Sequence, residues 1–180
     1  MSENVLSVSI GEIVTSDQPN EVLVAYGLGS CVAVCLYDPV ARVGGMAHAL
    51  LPETPSSGEK SGSGPAKFVD QGVPALLAAV LKLGAQRSRL RIGLCGGGQV
   101  LTIPGANAQF PIGKRNVEAA EKALRQKGMA IHPQDTGGDT GRTVRLQIAD
   151  GQVTVKTFGK GVQVLDLASA RRSVKRDMQQ

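Results

Sequence analysis

The stretch from Cys31 to Pro52, CVAVCLYDPVARVGGMAHALLP, constrains this chain more than any other. Two mostly apolar runs flank Asp38-Pro39, and Pro in the second position of a turn pre-sets the backbone for a reversal. The segment therefore reads as a β-hairpin. With Pro39-Val40 as a two-residue loop, cross-strand partners have numbers summing to 79, and Cys31 lies directly opposite His48. Ala33, Cys35, Gly44 and Met46 then share their face. A longer loop, with partners summing to 81, makes His48 diagonal to Cys31 but keeps both on one face. Opposed side chains have Cβ atoms ~5 Å apart. Either register lets the imidazole reach the thiol past the small Ala33.

The rest of the pattern completes a fold. Residues 5–16 alternate with period two, and 21–26 (EVLVAY) read as a second strand ending in Gly27-Leu28-Gly29-Ser30. Val73, Leu76, Leu77, Val80 and Leu81 have helical spacing within 70–83, with Pro74 in the first turn and Gly84 as a stop. Residues 88–95 are strand-like and run into Gly96-Gly97-Gly98. A second amphipathic helix is expected from Asn116, read as its cap, to Gly128. TVRLQI and QVTVKTF form a final hairpin about Asp150-Gly151. Residues 53–66, rich in Ser, Gly and Pro, read as a mobile surface loop. The expected fold is α+β: a single domain with a mixed or antiparallel sheet and two main helices.

Composition excludes several classes. At 42% apolar and 19% charged the chain is too apolar for disorder, and 180 residues suit one core. No apolar run approaches the ~18 residues of a membrane helix, and MSENVLSVSIGE, without a basic region followed by an apolar stretch, does not read as a signal peptide. Three cysteines fit no disulfide framework, so reduced thiols and a cytoplasmic location are expected. Of the net charge of +5, a net +3 lies in residues 167–180, read as a flexible basic tail after a domain spanning 1–166. Aromatics at 3% leave few stacking platforms, so nucleic acid is not an expected partner.

The chemistry follows from Cys31 and His48. A thiolate is the nucleophile, and a neighbouring imidazole can take its proton and later return it to a leaving amine. Backbone N–H groups of Gly29 and Ser30, in the glycine turn before Cys31, could hold a developing oxyanion. The plain alternative is a small core cysteine beside a satisfied histidine. Zinc on Cys31, Cys35, His48 and Cys95 is disfavoured, because C-x3-C on a strand lacks knuckle spacing. Cys35 and Cys95 read as core residues and His132 as solvated. The glycine run lacks the Lys-Ser/Thr of a phosphate loop, so no cofactor is expected.

GLGSCVAVCLYDPVARVGGMAHALLP resembles the active-site hairpin of the CheD family of chemoreceptor glutamine deamidases. The resemblance continues through LCGGGQ, IGKRNVEAAEKAL and DTGGDTGRTVRLQIADGQVTVK, roughly residues 9–157. It implies a cysteine hydrolase that converts receptor glutamines to glutamates, and possible action on glutamyl methyl esters. It also implies a fold related to bacterial deamidating toxins, Cys31 as nucleophile and His48 as base. The implied partners are the cytoplasmic helices of chemoreceptors and a CheC-type phosphatase. Asp135, Thr136, Gly137, Gly138 and Arg142 match family-typical residues and read as a structural turn beside the active face. One departure stands out: the family commonly carries a Thr six residues before the nucleophile to orient the histidine, and here that position is Ala25. An adaptor that docks a phosphatase or receptor, with weak or no catalysis, is the rival reading, and Ala25 is its best support.

Overall fold

The computed structural model describes residues 2–58, 64–100, 111–131, 134–169 and 171–172. In chain order the strands and helices are Asn4–Ser7 (β1), Ile13–Ser16 (β2), Glu21–Leu28 (β3), Val32–Asp38 (β4), Val43–Ala49 (β5), Val69–Lys82 (α1), Arg91–Gly96 (β6) and Ile112–Gln126 (α2). Short strands Met129–Ala130 (β7) and Asp135–Thr136 (β8) follow. The chain then runs through Arg142–Gln147 (β9), Val153–Thr157 (β10), Gly161–Leu165 (β11), Ala168–Ser169 (β12) and Arg171–Arg172 (β13).

These elements stack in three layers. One sheet orders β1-β3-β9-β10-β11, antiparallel except for the parallel β1–β3 pair. The second orders β12-β6-β4-β5-β2, with β8 added parallel to β6. β4 is central, and period-two alternation sends its side chains both ways. Val32, Val34 and Leu36 join Val73, Leu76, Val80, Ala120 and Leu124 of the two helices in one core. Ala33, Cys35 and Tyr37 join Leu23, Val144, Leu146 and Val155 of the other sheet in a second. β5 is likewise buried along its whole length, which is why both hairpin strands read as near-continuous apolar runs rather than alternating ones. The close approach has a requirement: a Cβ on Gly45 would stand 2.8 Å from Leu76 and Val80 of α1, so only glycine lets the helix down onto β5.

The α+β class, the two helices and the mixed sheet are as expected, one of the two expected hairpin registers is selected, and three details differ. The hairpin takes the longer loop, with Asp38 paired to Val43 and Ala33 to His48, so partners sum to 81 rather than 79. Buried Asp38 explains this. Its carboxylate accepts from the N–H groups of Val40 and Ala41, closing a four-residue turn before the strands resume. Residues 5–16 are not one strand: the chain leaves β1 after Ser7 and re-forms as β2 in the other sheet. Finally, α2 starts four residues before Asn116, so that asparagine lies inside the helix and caps nothing. Pro74 falls in the second turn of α1, because that helix begins at Val69.

Gly84 and Gly128 end the helices in left-handed backbone, as expected. Of the 53–66 loop, residues 59–63 lie outside the described residues, and Ala66 is fully buried in the helix-side core. The 167–180 segment begins with β12 on β6 and β13 on β7, and residues 170 and 173–180 lie outside the described residues, as does His132.

Candidate active site

Cys31 sits one residue before β4, where the chain returns from β3. Regular pairing of β3 to β9 is interrupted between Ala25 and Leu28, and this irregularity leads into the turn at Gly29-Ser30. Each carbonyl of the turn is taken by a different donor. Gly29 O accepts from Gly98 N–H at 2.8 Å, Ser30 O from Asn116 Nδ2 at 2.8 Å, and Cys31 O from Gly97 N–H at 2.8 Å. The N–H groups of Gly29 and Ser30 make no hydrogen bond among the described residues. Cys31, 6% exposed, looks into a cleft of about 510 Å³. Gly29 and Ser30 form its near wall, Gly98, Gln99 and Val100 a second, and Ile112 and Gly113 of α2 a third. A hollow of about 540 Å³ adjoins it across Val100, and its described lining includes Thr140, Thr143 and Lys156 but no cysteine.

The glycine segment after β6 is fixed on both sides of this cleft. Gly137 N–H donates to Gly96 O at 3.0 Å and Gln99 N–H to Gly138 O at 2.8 Å. Arg142 Nη1 donates to Gly96 O and Nη2 to Gly137 O. Its Nε lies 2.9 Å from an Asp135 carboxylate oxygen, an ion pair without hydrogen-bond alignment. The residues read as a turn beside the active face thus hold one wall of the cleft. Gly96 has φ +102°, and a Cβ there would collide with the carbonyl oxygen of Cys31. Gly96→Ala is therefore expected to cost about 1–3 kcal/mol in backbone strain alone and to push Cys31 out of place. A urea melt combined with an activity assay checks it, both falling together.

His48 lies on β5 opposite Ala33, hence diagonal to Cys31 on the face that packs against the other sheet. The ring is 3% exposed. Its Nδ1 stands 2.9 Å from Val8 O. A carbonyl only accepts, so Nδ1 carries the hydrogen and Nε2 carries the lone pair. Nε2 is buried and has no partner among the described residues. The backbone is held by the same turn, His48 N–H donating to Glu12 O and Gly11 N–H to His48 O. Val8 is itself anchored, its N–H donating to Val24 O at 2.8 Å. Ala25 is fully buried between the sheets. In place of the threonine that the resemblance puts at that position, the Val8 carbonyl is the group hydrogen-bonded to His48 Nδ1.

Burial pushes the Cys31 thiol up from its ordinary value, partly offset by its own backbone N–H. Burial likewise pulls His48 below the ordinary imidazole range, against the opposing pulls of the Val8 carbonyl and Glu12. Both shifts favour a neutral thiol and a neutral imidazole over a preformed thiolate–imidazolium pair. The linkage has a definite sign. Between the ordinary histidine value and the depressed one, the unfolded chain binds a proton that the folded chain does not. Stability is expected to fall as pH drops through that window, and His48→Gln to remove that part of the slope in denaturant melts.

The other thiols are unsuited to attack. Cys35 is fully buried and pushed up to about 12, and Cys95 is held well above its ordinary value, both by burial. Among the described residues no three His, Cys, Asp or Glu side chains group as a metal site would require. Asn116 is the residue that sequence reasoning misread. It is completely buried, and its Nδ2 donates to both Ser30 O and Leu50 O. A signal was present: once α2 is started at Ile112, directly after Pro111, Asn116 falls on the apolar stripe with Gly113, Ala120 and Leu124.

A family model described as CheD chemotactic sensory transduction matches residues 50–157. A probable chemoreceptor glutamine deamidase CheD of Symbiobacterium thermophilum is 45% identical over 86% of this chain and 93% of that protein. Proteins of the same description from Desulfitobacterium hafniense and Thermococcus kodakarensis are 38% and 39% identical. They cover 90% and 87% of this chain, and 99% and 94% of their own lengths. A solved structure of the Bacillus licheniformis hypothetical protein YfiH aligns over 64% of this chain and 46% of its own, at TM-score 0.38 and 18% identity, too distant to carry an argument. Matches of this identity and coverage, along the same chain that sets Cys31 and His48 on one face, place the protein in the CheD family.

Proposed function

We propose that this chain hydrolyses the side-chain amides of selected glutamines on chemoreceptors, with Cys31 as nucleophile and His48 as general base. The observation that carries the reading is the imidazole: Nδ1 is committed to Val8 O, and the Nε2 lone pair is left free on the face it shares with Cys31. As Sγ attacks the amide carbon, Nε2 takes the thiol proton, and the carbonyl oxygen becomes an oxyanion facing the N–H groups of Gly29 and Ser30. Collapse breaks the C–N bond while Nε2 returns that proton to nitrogen, and ammonia leaves. Water then gives a proton to Nε2 and attacks the thioester. The C–S bond breaks, the proton returns to sulfur, and glutamate is released. A glutamyl methyl ester would follow the same steps with methanol leaving.

The substrate glutamine belongs to the cytoplasmic helices of a receptor, and the enzyme acts in the cytoplasm, where a CheC-type phosphatase is its regulatory partner. The net charge of +5 favours encounter with acidic helices. Among the described residues no helix is long and apolar enough to cross a membrane. The adaptor reading rested on Ala25 leaving His48 without an orienting group, and the Val8 carbonyl meets that need. The test is intact-mass analysis of a receptor cytoplasmic fragment from the source cell, incubated with the native chain. A gain of about one dalton per modified glutamine, the mass of NH exchanged for O, is expected. No gain on any receptor would return the argument to the adaptor.

A further inference from the structure

The β4–β5 ladder holds His48, paired with Ala33, but ends one residue short of Cys31. The last β4–β5 pair is Val32 with Ala49, and beyond it the strands part. Leu50 and Leu51 turn aside, both N–H groups donating to Lys67 O, and Leu51 bridges to Phe68. Cys31 turns toward the glycine segment. Two carbonyls are left facing the gap, Ser30 O on the nucleophile's strand and Leu50 O two residues past His48. Both are taken by the one side-chain nitrogen of Asn116, at 2.8 and 3.0 Å.

We propose that Asn116 is the positioning residue of the Cys31–His48 pair, a clamp that holds the two strand ends in register where the sheet no longer does. The assignment rests on the reading of that pair as the reacting groups. The amide orientation is settled by its partners, because the reverse flip would set an oxygen against two carbonyl oxygens. Asn116 Oδ1 is buried with no partner, a cost that an apolar residue of the same size would avoid. What the asparagine supplies in return is two diverging donors on one atom, delivered from a helix whose first turn already forms a cleft wall. Serine or threonine has one hydrogen to give, and a lysine would bury a charge.

The test uses the full chain with Asn116→Leu, close in volume but without donors, Asn116→Ala as a second deletion, and Asn116→Gln as the conservative variant. Three readouts are taken: the thermal melt, kcat and KM on a receptor fragment, and the pH profile of Cys31 alkylation by iodoacetamide. In the native chain the alkylation profile should carry an inflection that His48→Gln removes. Asn116→Leu and Asn116→Ala are expected to lose that inflection while still melting cooperatively. Their kcat should fall at least tenfold with KM within threefold, and Asn116→Gln should recover part of both. A folded deletion variant with native alkylation profile and native kcat overturns the assignment. Alkylation needs no receptor, so the two readings fail separately. A native chain that deamidates nothing, yet shows the Asn116-dependent inflection, sinks the proposed function and leaves the clamp standing.

Discussion

Cys31→Ala is expected to abolish deamidation, with a loss on the order of 10⁶ in kcat, the scale seen when a hydrolase loses its nucleophile. His48→Gln should leave more, because removing a general base costs roughly 10²–10⁴. The double variant should be no worse than Cys31→Ala alone, since in the proposed mechanism the two groups act in one step. The three thiols allow an internal control. Cys35 and Cys95 are both fully buried, so alanine at either should cost packing and leave turnover near native. The pH profile of kcat/KM has a direction too. With His48 depressed by burial, its acidic limb should lie below the ordinary histidine value of about 6.5. Turnover surviving in Cys31→Ala, or lost equally in Cys35→Ala, would remove Cys31 from the mechanism.

The largest stability effect is expected far from the cleft, at Asp38. Its side chain is completely buried at the end of β4. There it accepts from the N–H groups of Val40, Ala41 and Gln86, and from Arg89, whose Nη2 lies 2.7 Å away. Burial alone would raise this carboxyl, but Arg89 and the three N–H groups outweigh it and hold it well below the usual carboxylate range. One side chain therefore shapes the hairpin turn and ties it to the 86–89 segment that leads into β6. Asp38→Ala leaves those N–H groups without their acceptor, and a loss of about 3–5 kcal/mol is expected. Because the folded value is depressed, the contribution is present above the ordinary aspartate value and lost as pH falls toward the depressed one. Urea melts of the native chain and Asp38→Ala at neutral and acidic pH check both statements, the gap narrowing on acidification. An unchanged midpoint at neutral pH would show that the turn holds without its carboxylate.

The hairpin, both helices and the facing of Cys31 and His48 were legible because they rest on local patterns: apolar runs, helical spacing, turn residues and period two. The register was narrowed to two values, and what decided between them was the side chain of Asp38, which sequence reasoning had counted only as a turn former. The Val8 carbonyl was beyond reach of such patterns. It lies 40 residues from His48 in the chain, and every residue has a carbonyl, so the amino-acid type carries no mark of the role. Asn116 was hidden by a boundary error, since an asparagine at a helix start is a cap and the same residue one turn later is a buried donor. The third layer was missed in part because β11 is exposed from Gly161 through Val164, so its Val-Gln-Val alternation marks no buried face.

Coverage of β4 and β5 on both faces has a consequence for motion. Opening this hairpin exposes the helix-side core and the inter-sheet core together, so its amides should exchange with solvent only through global unfolding. The walls of the cleft come instead from turns and a helix end, which can open locally at far lower cost. Sulfur and imidazole thus ride on the slowest-exchanging part of the molecule, and adjustment to different substrates falls to the walls around them.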